Sequence, residues 1–295
     1  MSSFGSQSMV ASLRRVIVKR PEEAFRSRDH ILKEWKNLGY TRPPDLNRAA
    51  EDHQRFVSLL QEGGAEVLYL PADDQTGLDS LYAHDPLLVT DRGAVIFQTG
   101  KTARRGEGQA FAFALENWGV PILGMIAGAA TAEAGDMVWL DHDTLLAGRS
   151  FRTNAAGIER LTPLLGPLGV TVIPVELPYW NGPADVLHLM SFISLLDDDL
   201  AVVYRRILPV PLFELLARRG VELIDVPEQE YETLGCNVLA VSPRNLIMVN
   251  GNPITRSRLE GAGCKVSEFD GTHICLPGAG GPTCLTRPLL RDHSR

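Results

Sequence analysis

The sequence predicts an α/β protein built from one repeated unit, in which a β-hairpin is followed by a helix and a single strand. Two observations predict this fold class. Short apolar runs occur in pairs that are joined by turn residues, and a helical stretch and a third apolar run then follow. The turn centres fall near positions 92, 142, 198 and 244, and this regular spacing indicates a structural repeat.

Four hairpins carry the repeat. The predicted hairpins span residues 86–97, 137–147, 192–204 and 237–249. Their turns are rich in Asp, Asn, Gly and Pro, which are the residues that tight turns favour. On either side of each turn the side chains of the hairpin runs are mostly apolar, as expected of short strands with little exposure to solvent.

Helical stretches and single strands lie between the hairpins. The predicted helices are 47–61, 154–165, 211–219 and 254–261, and the strands after them are 66–70, 170–175, 221–224 and 265–266. In the second helix, Asn154 is a candidate N-cap, and Ile158, Leu161 and Leu165 are spaced to share one face. A first strand at 15–19 and a last strand at 284–290 would complete a fifth unit. Because one unit cannot bury its apolar face alone, the units must close on one another.

Composition bounds the class of protein. The chain has 295 residues, of which 44% are hydrophobic and 22% charged, and this is ordinary for a soluble globular protein. The net charge of −7, without a basic block, argues against a nucleic-acid partner. We find no apolar run of the roughly 20 residues that a membrane helix needs, so we expect no membrane partner.

The first residues of the chain and the cysteines bear on the domain bounds and the cellular compartment. Residues 1–12 are small and polar and predict a disordered segment, so we expect one domain over 13–295 and a cytoplasmic protein. The four cysteines form no CxxC pair, which argues against a zinc site and favours a reducing compartment. The oligomeric state stays open, and a homodimer is one option.

Polar residues of different chemistry stand just before the hairpins, at equivalent points of the repeat. Asp85 precedes the first hairpin, Glu133 and Asp136 precede the second, and His188 precedes the third. Cys284 opens the last strand, after a glycine-rich turn that would let a small molecule approach its thiol. In a closed ring of units these positions converge on the axis.

These residue types together indicate covalent catalysis on a cationic ligand. A cysteine thiolate is a nucleophile, and a histidine moves protons near neutral pH. Crowded carboxylates, to which Asp79 also belongs, repel one another and therefore demand a positive ligand. A guanidinium fits best, because carboxylates bind it with paired hydrogen bonds. Candidates for gripping an anionic tail of that ligand are Arg104, Arg105 and Arg152.

Five segments carry a resemblance to a known family. They are 79–85, 132–136, 150–154, 185–189 and 280–285, in family order, and the similarity extends over the chain past residue 12. The chain resembles the dimethylarginine dimethylaminohydrolases of the guanidine-modifying, or amidinotransferase, superfamily. The resemblance implies a five-bladed α/β propeller with pseudo-fivefold symmetry and a central active site. It also implies a hydrolase of arginine metabolism that forms citrulline from Nω-methylated or Nω,Nω-dimethylated arginine.

The resemblance also implies a role for each candidate residue. Cys284 would attack the guanidinium carbon to form a thiouronium, and His188 would protonate the amine and then activate water. Glu133 and Asp85 would hold the guanidinium. For the amino-acid end of the substrate, Asp79 would bind the α-amino group, and Arg104 and Arg152 would bind the α-carboxylate. The partner would be a small guanidine, and neither a metal nor an organic cofactor is expected.

Two departures from the family pattern keep alternatives open. His84 stands where relatives carry an acid, and Met190 stands where deiminases and amidinotransferases usually carry an aspartate. The absence of that aspartate at Met190 argues against those two activities. The glycine-rich loop before Cys284 points the other way, because it looks more like that of the deiminases than that of the mammalian dimethylaminohydrolases. The alternatives are a related deiminase, a ureido hydrolase or an amidinotransferase acting on another guanidine or ureido compound. A catalytically silent repeat protein used for binding is a further alternative.

Overall fold

Five three-stranded sheets form the blades of an α/β propeller in the computed structural model, which describes residues 3–292. Each blade has a middle strand that pairs antiparallel with one neighbour and parallel with the other. Within the described residues the strands are β1 Leu13–Val18, β2 Glu66–Tyr69, β3 Leu87–Thr90, β4 Gly93–Ile96, β5 Ile122–Met125, β6 Met137–Asp141, β7 Thr144–Arg149, β8 Thr171–Glu176, β9 Ile193–Asp197, β10 Leu200–Val203, β11 Glu222–Asp225, β12 Leu239–Ser242, β13 Asn245–Val249, β14 Lys265–Phe269 and β15 Arg287–Arg291.

A helix connects the two parallel strands of every blade. Over the same residues the helices are α1 Pro21–Phe25, α2 Arg28–Glu34, α3 Leu46–Glu62, α4 Glu107–Asn117, α5 Ala155–Leu165, α6 Val210–Arg218 and α7 Pro253–Gly261. The helices α3 to α7 are the five connections, since parallel neighbours need a crossover of this length. The fifth blade joins both ends of the chain, because β15 pairs antiparallel with β1.

Apolar clusters between neighbouring blades close the ring. The hairpin strands β3 and β4 are buried throughout, whereas the parallel strand β5 is partly exposed at the outside. One cluster joins β1 to β3 and β4, and a second joins β4 to β6 and β7. A third runs from β6 through β9 and β10 to β13, and a fourth joins β13 back to β1. The hairpins therefore surround a common axis.

The predicted repeat is confirmed, and the predicted elements of the four hairpin units lie within a few residues of the observed ones. Asn154 caps α5, as expected, because its side chain accepts a hydrogen bond from the backbone N–H of Gly157. The sequence analysis missed the helices α1, α2 and α4 and the strand β5. It also began the last strand too early, since β15 starts three residues after Cys284.

The prediction of a disordered segment over 1–12 is wrong for the part of it that the structure describes. Ser6, Gln7 and Val10 are at most 4% exposed. The Gln7 side chain accepts a hydrogen bond from the backbone N–H of Asp91 and donates one to the carbonyl oxygen of His142. This polar segment is ordered because two blade turns supply partners for its amide. Across residues 3–292, no helix combines the length and the apolar character that crossing a membrane requires.

Candidate active site

Residues from four blades meet at one cavity of about 290 Å³. Asp85, His188 and Cys284 line this cavity, and Glu133 lies directly behind His188. Asp85 precedes β3, Glu133 precedes β6, His188 precedes β9 and Cys284 precedes β15. The structure therefore brings together the residues that the sequence placed at equivalent points of the repeat.

Short 3₁₀ turns hold these side chains at the starts of the inner strands. Glu133 and His188 each occupy the cap position of such a turn, and both have extended backbones. The turn after Glu133 contains Gly135, where a Cβ atom would lie 2.3 Å from Nδ1 of His188. A side chain there would displace the imidazole, so the site requires glycine at this position. Behind the two turns, Asp136 accepts hydrogen bonds from Leu189 N–H and from the Ser150 hydroxyl.

His188 is held by acidic groups and is positively charged at neutral pH. Its Nε2 lies 2.7 Å from Oε2 of Glu133, and its Nδ1 lies 4.0 Å from Oδ1 of Asp85. Burial alone would lower the pKa of His188, but the charges of Asp85 and Asp136 and the hydrogen bond to Glu133 raise it to about 9. The resting site thus contains an imidazolium, which can donate a proton to a departing amine.

Cys284 is a neutral thiol in the resting site. Its Sγ accepts a hydrogen bond of 3.3 Å from the side-chain amide of Asn237, which is 6% exposed. Burial and the charge of Asp85 raise the pKa of the Cys284 thiol to about 11, against the opposing hydrogen bonds from Asn237 and Gly281 N–H. Gly281 is required here, because a Cβ atom would lie 2.5 Å from Cγ of Asn237. A cationic ligand is therefore needed to favour the thiolate.

Arg104 lines the cavity but is engaged within the protein, and its predicted contact with a substrate carboxylate stays a prediction. Its Nη1 lies 2.5 Å from Oδ2 of Asp85, and its Nε and Nη2 both donate to Glu107. Nη2 also donates to the carbonyl oxygen of Tyr82. Arg104 is 4% exposed, so a ligand would have to compete with two buried carboxylates. Its position indicates that it orients Asp85 and compensates its charge.

The other predicted binding residues lie on the wall of the cavity. Asp79 is 5% exposed, and its Oδ2 lies 2.6 Å from Nζ of Lys101. Arg152 lies with Nη1 3.6 Å from Oε2 of Glu133, and its side chain is 10% exposed. Neither His84 nor Arg105 is among the residues that line the cavity. His84 instead donates a hydrogen bond from Nδ1–H to the carbonyl oxygen of Thr286, and burial lowers its pKa to about 3, so that it is neutral.

Three residues of the site were missed by the sequence analysis. Asn237 stands two residues before β12, as Asp85 stands two residues before β3, so the repeat register could have found it. Lys101 and Glu107 flank Arg104, but no periodicity or motif distinguishes them from solvated charges. Their contacts depend on side-chain directions that only the folded chain reveals.

A second cavity of about 100 Å³ shares Cys284 and His188 with the first. Much of its wall is apolar, and the larger apolar side chains are Trp180, Val186, Met190, Tyr231 and Leu234. Because one water molecule needs about 10–15 Å³ of such volume, the chamber has room for a group of several heavy atoms. The reacting centre therefore has a partly apolar space beside it, whose wall also carries Asp185, Ser191 and Glu232.

The acidic cluster has the composition of a metal site, although its charges argue against one. One donor atom each of Asp85, Glu133 and His188 lies within 4.8 Å of the others. Glu133 is already bonded to His188, and Asp85 is paired with Arg104. A metal ion would therefore meet an imidazolium and a guanidinium at the same place.

Comparisons with known proteins agree with this geometry. The family model described as "N,N dimethylarginine dimethylhydrolase, eukaryotic" matches residues 22–291. An N(G),N(G)-dimethylarginine dimethylaminohydrolase of Pseudomonas aeruginosa is 29% identical over 82% of this chain and 89% of its own length. The homologous enzyme of Streptomyces coelicolor is also 29% identical, over 82% of this chain and 86% of its own. A solved P. aeruginosa structure, a mutant complexed with citrulline, has a TM-score of 0.76 at 24% identity and covers 93% of this chain and 98% of that one.

Proposed function

Because the chain belongs to the N,N-dimethylarginine dimethylhydrolase family, we propose that it releases an amine from an Nω-methylated or Nω,Nω-dimethylated arginine and leaves citrulline. It is a hydrolase of guanidino C–N bonds. The observation that carries the proposal is the convergence of Cys284 with His188, Glu133 and Asp85 at one cavity.

The first half of the proposed reaction forms a covalent intermediate. Asp85 and Glu133 attract the guanidinium, and its positive charge lowers the pKa of the Cys284 thiol, whose proton leaves to solvent. The thiolate Sγ then bonds to the guanidinium carbon. As the C–N bond to the substituted nitrogen breaks, the His188 imidazolium gives its proton to that nitrogen and the neutral amine departs.

The second half releases the product. His188 is now a neutral imidazole and takes a proton from a water molecule, whose oxygen bonds to the thiouronium carbon. The C–S bond breaks and the thiolate leaves, the added hydroxyl group gives its remaining proton to solvent, and the neutral ureido product is formed. Glu133 keeps the imidazole oriented through the 2.7 Å contact in both halves. Arg152 is proposed to bind the substrate carboxylate, whereas Arg104 is proposed to position Asp85.

The apolar chamber favours a substituted guanidine over free arginine. The substituents of the leaving nitrogen need a space beside Cys284 and His188, and the chamber at Met190 provides one. A bare guanidinium nitrogen would instead leave its N–H donors facing apolar side chains, which is costly. This observation supports a dimethylaminohydrolase over an arginine deiminase.

The test measures turnover of matched substrates by the purified protein. We expect dimethylamine and citrulline, in equal amounts, from Nω,Nω-dimethylarginine, and much slower product formation from arginine and agmatine. Cys284→Ser serves as the inactive control. Faster release of ammonia from arginine would move the protein to the deiminases, and no product from any of these guanidines would refute the proposal.

Location and assembly are proposed separately. All four cysteines are free thiols, which fits a reducing compartment, and we therefore infer a cytoplasmic protein. A homodimer stays a proposal, for which the molar mass in solution is the direct test.

A further inference from the structure

Lys101 places a positive charge in the cavity of about 290 Å³, on the side formed by Leu38 and Asp79. Its Nζ lies 2.6 Å from Oδ2 of Asp79 and donates a hydrogen bond of 2.5 Å to the carbonyl oxygen of Leu38. The Lys101 side chain is 22% exposed, so the ammonium is within reach of a ligand. The protein's own ammonium thus occupies a place where a carboxylate and a carbonyl could otherwise bind the ammonium of a substrate.

The backbone of Lys101 is fixed to the reacting centre. Its N–H donates a hydrogen bond of 3.2 Å to Oε1 of Glu133, and its carbonyl oxygen accepts one from the Thr99 hydroxyl. An ammonium has three N–H donors, of which Leu38 accepts one, while Asp79 adds an ion pair. At least one donor remains for an anionic ligand. Arg104 is more fully engaged, because Asp85, Glu107 and Tyr82 accept hydrogen bonds from four of its five N–H donors.

From this arrangement we propose that Lys101 is a specificity-determining residue, which favours guanidine substrates whose tail carries a carboxylate but no free ammonium. A carboxylate entering this side of the cavity is attracted by Lys101. The ammonium of a free amino acid is repelled by it and has to displace it from Asp79. The inference deepens the proposed function, on which it rests, by defining the tail of the preferred substrate.

The test compares two ligands that differ only in the α-ammonium. They are Nω,Nω-dimethylarginine and its deamino analogue, 5-(dimethylguanidino)pentanoate. Binding is measured by calorimetry in a Cys284→Ser background, which prevents turnover. We expect the deamino acid to bind at least tenfold more tightly than the amino acid, and Lys101→Met to lower that ratio at least tenfold.

Controls separate this effect from a general disturbance of the protein. Lys33→Met removes an exposed lysine of α2 and should leave the ratio unchanged. Lys101→Gln is a second neutral variant in case Lys101→Met does not fold, as judged from thermal melting. A ratio that moves by less than tenfold in the folded variant overturns the inference, as does a parent protein that prefers the amino acid.

Failure of the proposed function would be distinguishable from failure of this inference. The intact enzyme is assayed in parallel for dimethylamine release from both compounds. Absence of release from both refutes the hydrolase proposal, while the binding ratio still decides the role of Lys101.

Discussion

Replacing Glu133 with glutamine tests how the site keeps His188 protonated. The substitution preserves size and a hydrogen-bond acceptor but removes the charge 2.7 Å from Nε2. The pKa of His188 is raised from 6.5 to about 9 although burial opposes this. That shift corresponds to roughly 3 kcal/mol. Since an opposite charge within about 4–6 Å typically moves a pKa by 1–3 units, we expect Glu133→Gln to lower the pKa of His188 by about one to two units.

Imidazole NMR titration measures this change directly, and the pH dependence of kcat measures its consequence. We expect the loss of activity at high pH to begin about one to two units lower, because the general acid loses its proton earlier. The contribution of His188 to folding stability changes with pH in the same direction as the activity. A raised histidine pKa stabilises the fold fully below about pH 6.5, and this contribution is lost as pH rises through about 9. Glu133→Gln should reduce this contribution of His188 to folding stability.

Asp143→Asn is the matched control, because this exposed carboxylate pairs with His142 and neither residue lines the cavity. It should leave the titration of His188 unchanged. A pKa of His188 that stays at about 9 in Glu133→Gln would refute the reasoning. Asp85 and Asp136 would then carry the shift, and Glu133 would act by holding the guanidinium alone.

Three further expectations concern single side chains. Cys284→Ser should reduce turnover by roughly three orders of magnitude or more, and mass spectrometry of quenched parent enzyme should find the substrate adduct on Cys284; an adduct confined to another cysteine contradicts this. Arg104→Met should lower the free energy of unfolding in urea by about 3–5 kcal/mol, because it strands two buried carboxylates; unchanged stability with a raised KM would restore Arg104 as a substrate ligand. Met190→Asp should lower kcat/KM for dimethylarginine at least tenfold relative to that for arginine in protein that still melts cooperatively, and an unchanged ratio would remove the chamber from substrate selection.

Local chemistry is the part of this protein that the sequence determined. Turn residues between apolar runs specify the hairpins, and a side-chain cap specifies where a helix begins, as Asn154 does for α5. These preferences act over a few residues, and their spacing therefore exposed the repeat. Once units repeat, equivalent positions share a place in the ring. For this reason the sequence alone groups Asp85, Glu133, His188 and Cys284.

Partner choice was decided by the tertiary structure. Arg104 looked free for a ligand, yet it is bonded to Asp85 and Glu107, and Lys101, which carries no sequence signal, reaches Asp79. The apolar chamber likewise forms from segments around Trp180, Met190 and Tyr231 that are far apart in the chain. An ion pair or a cavity wall depends on distances of a few ångströms between such segments. The hydrophobic pattern places the blades, but the packed backbone alone sets those distances and the charge that a substrate meets.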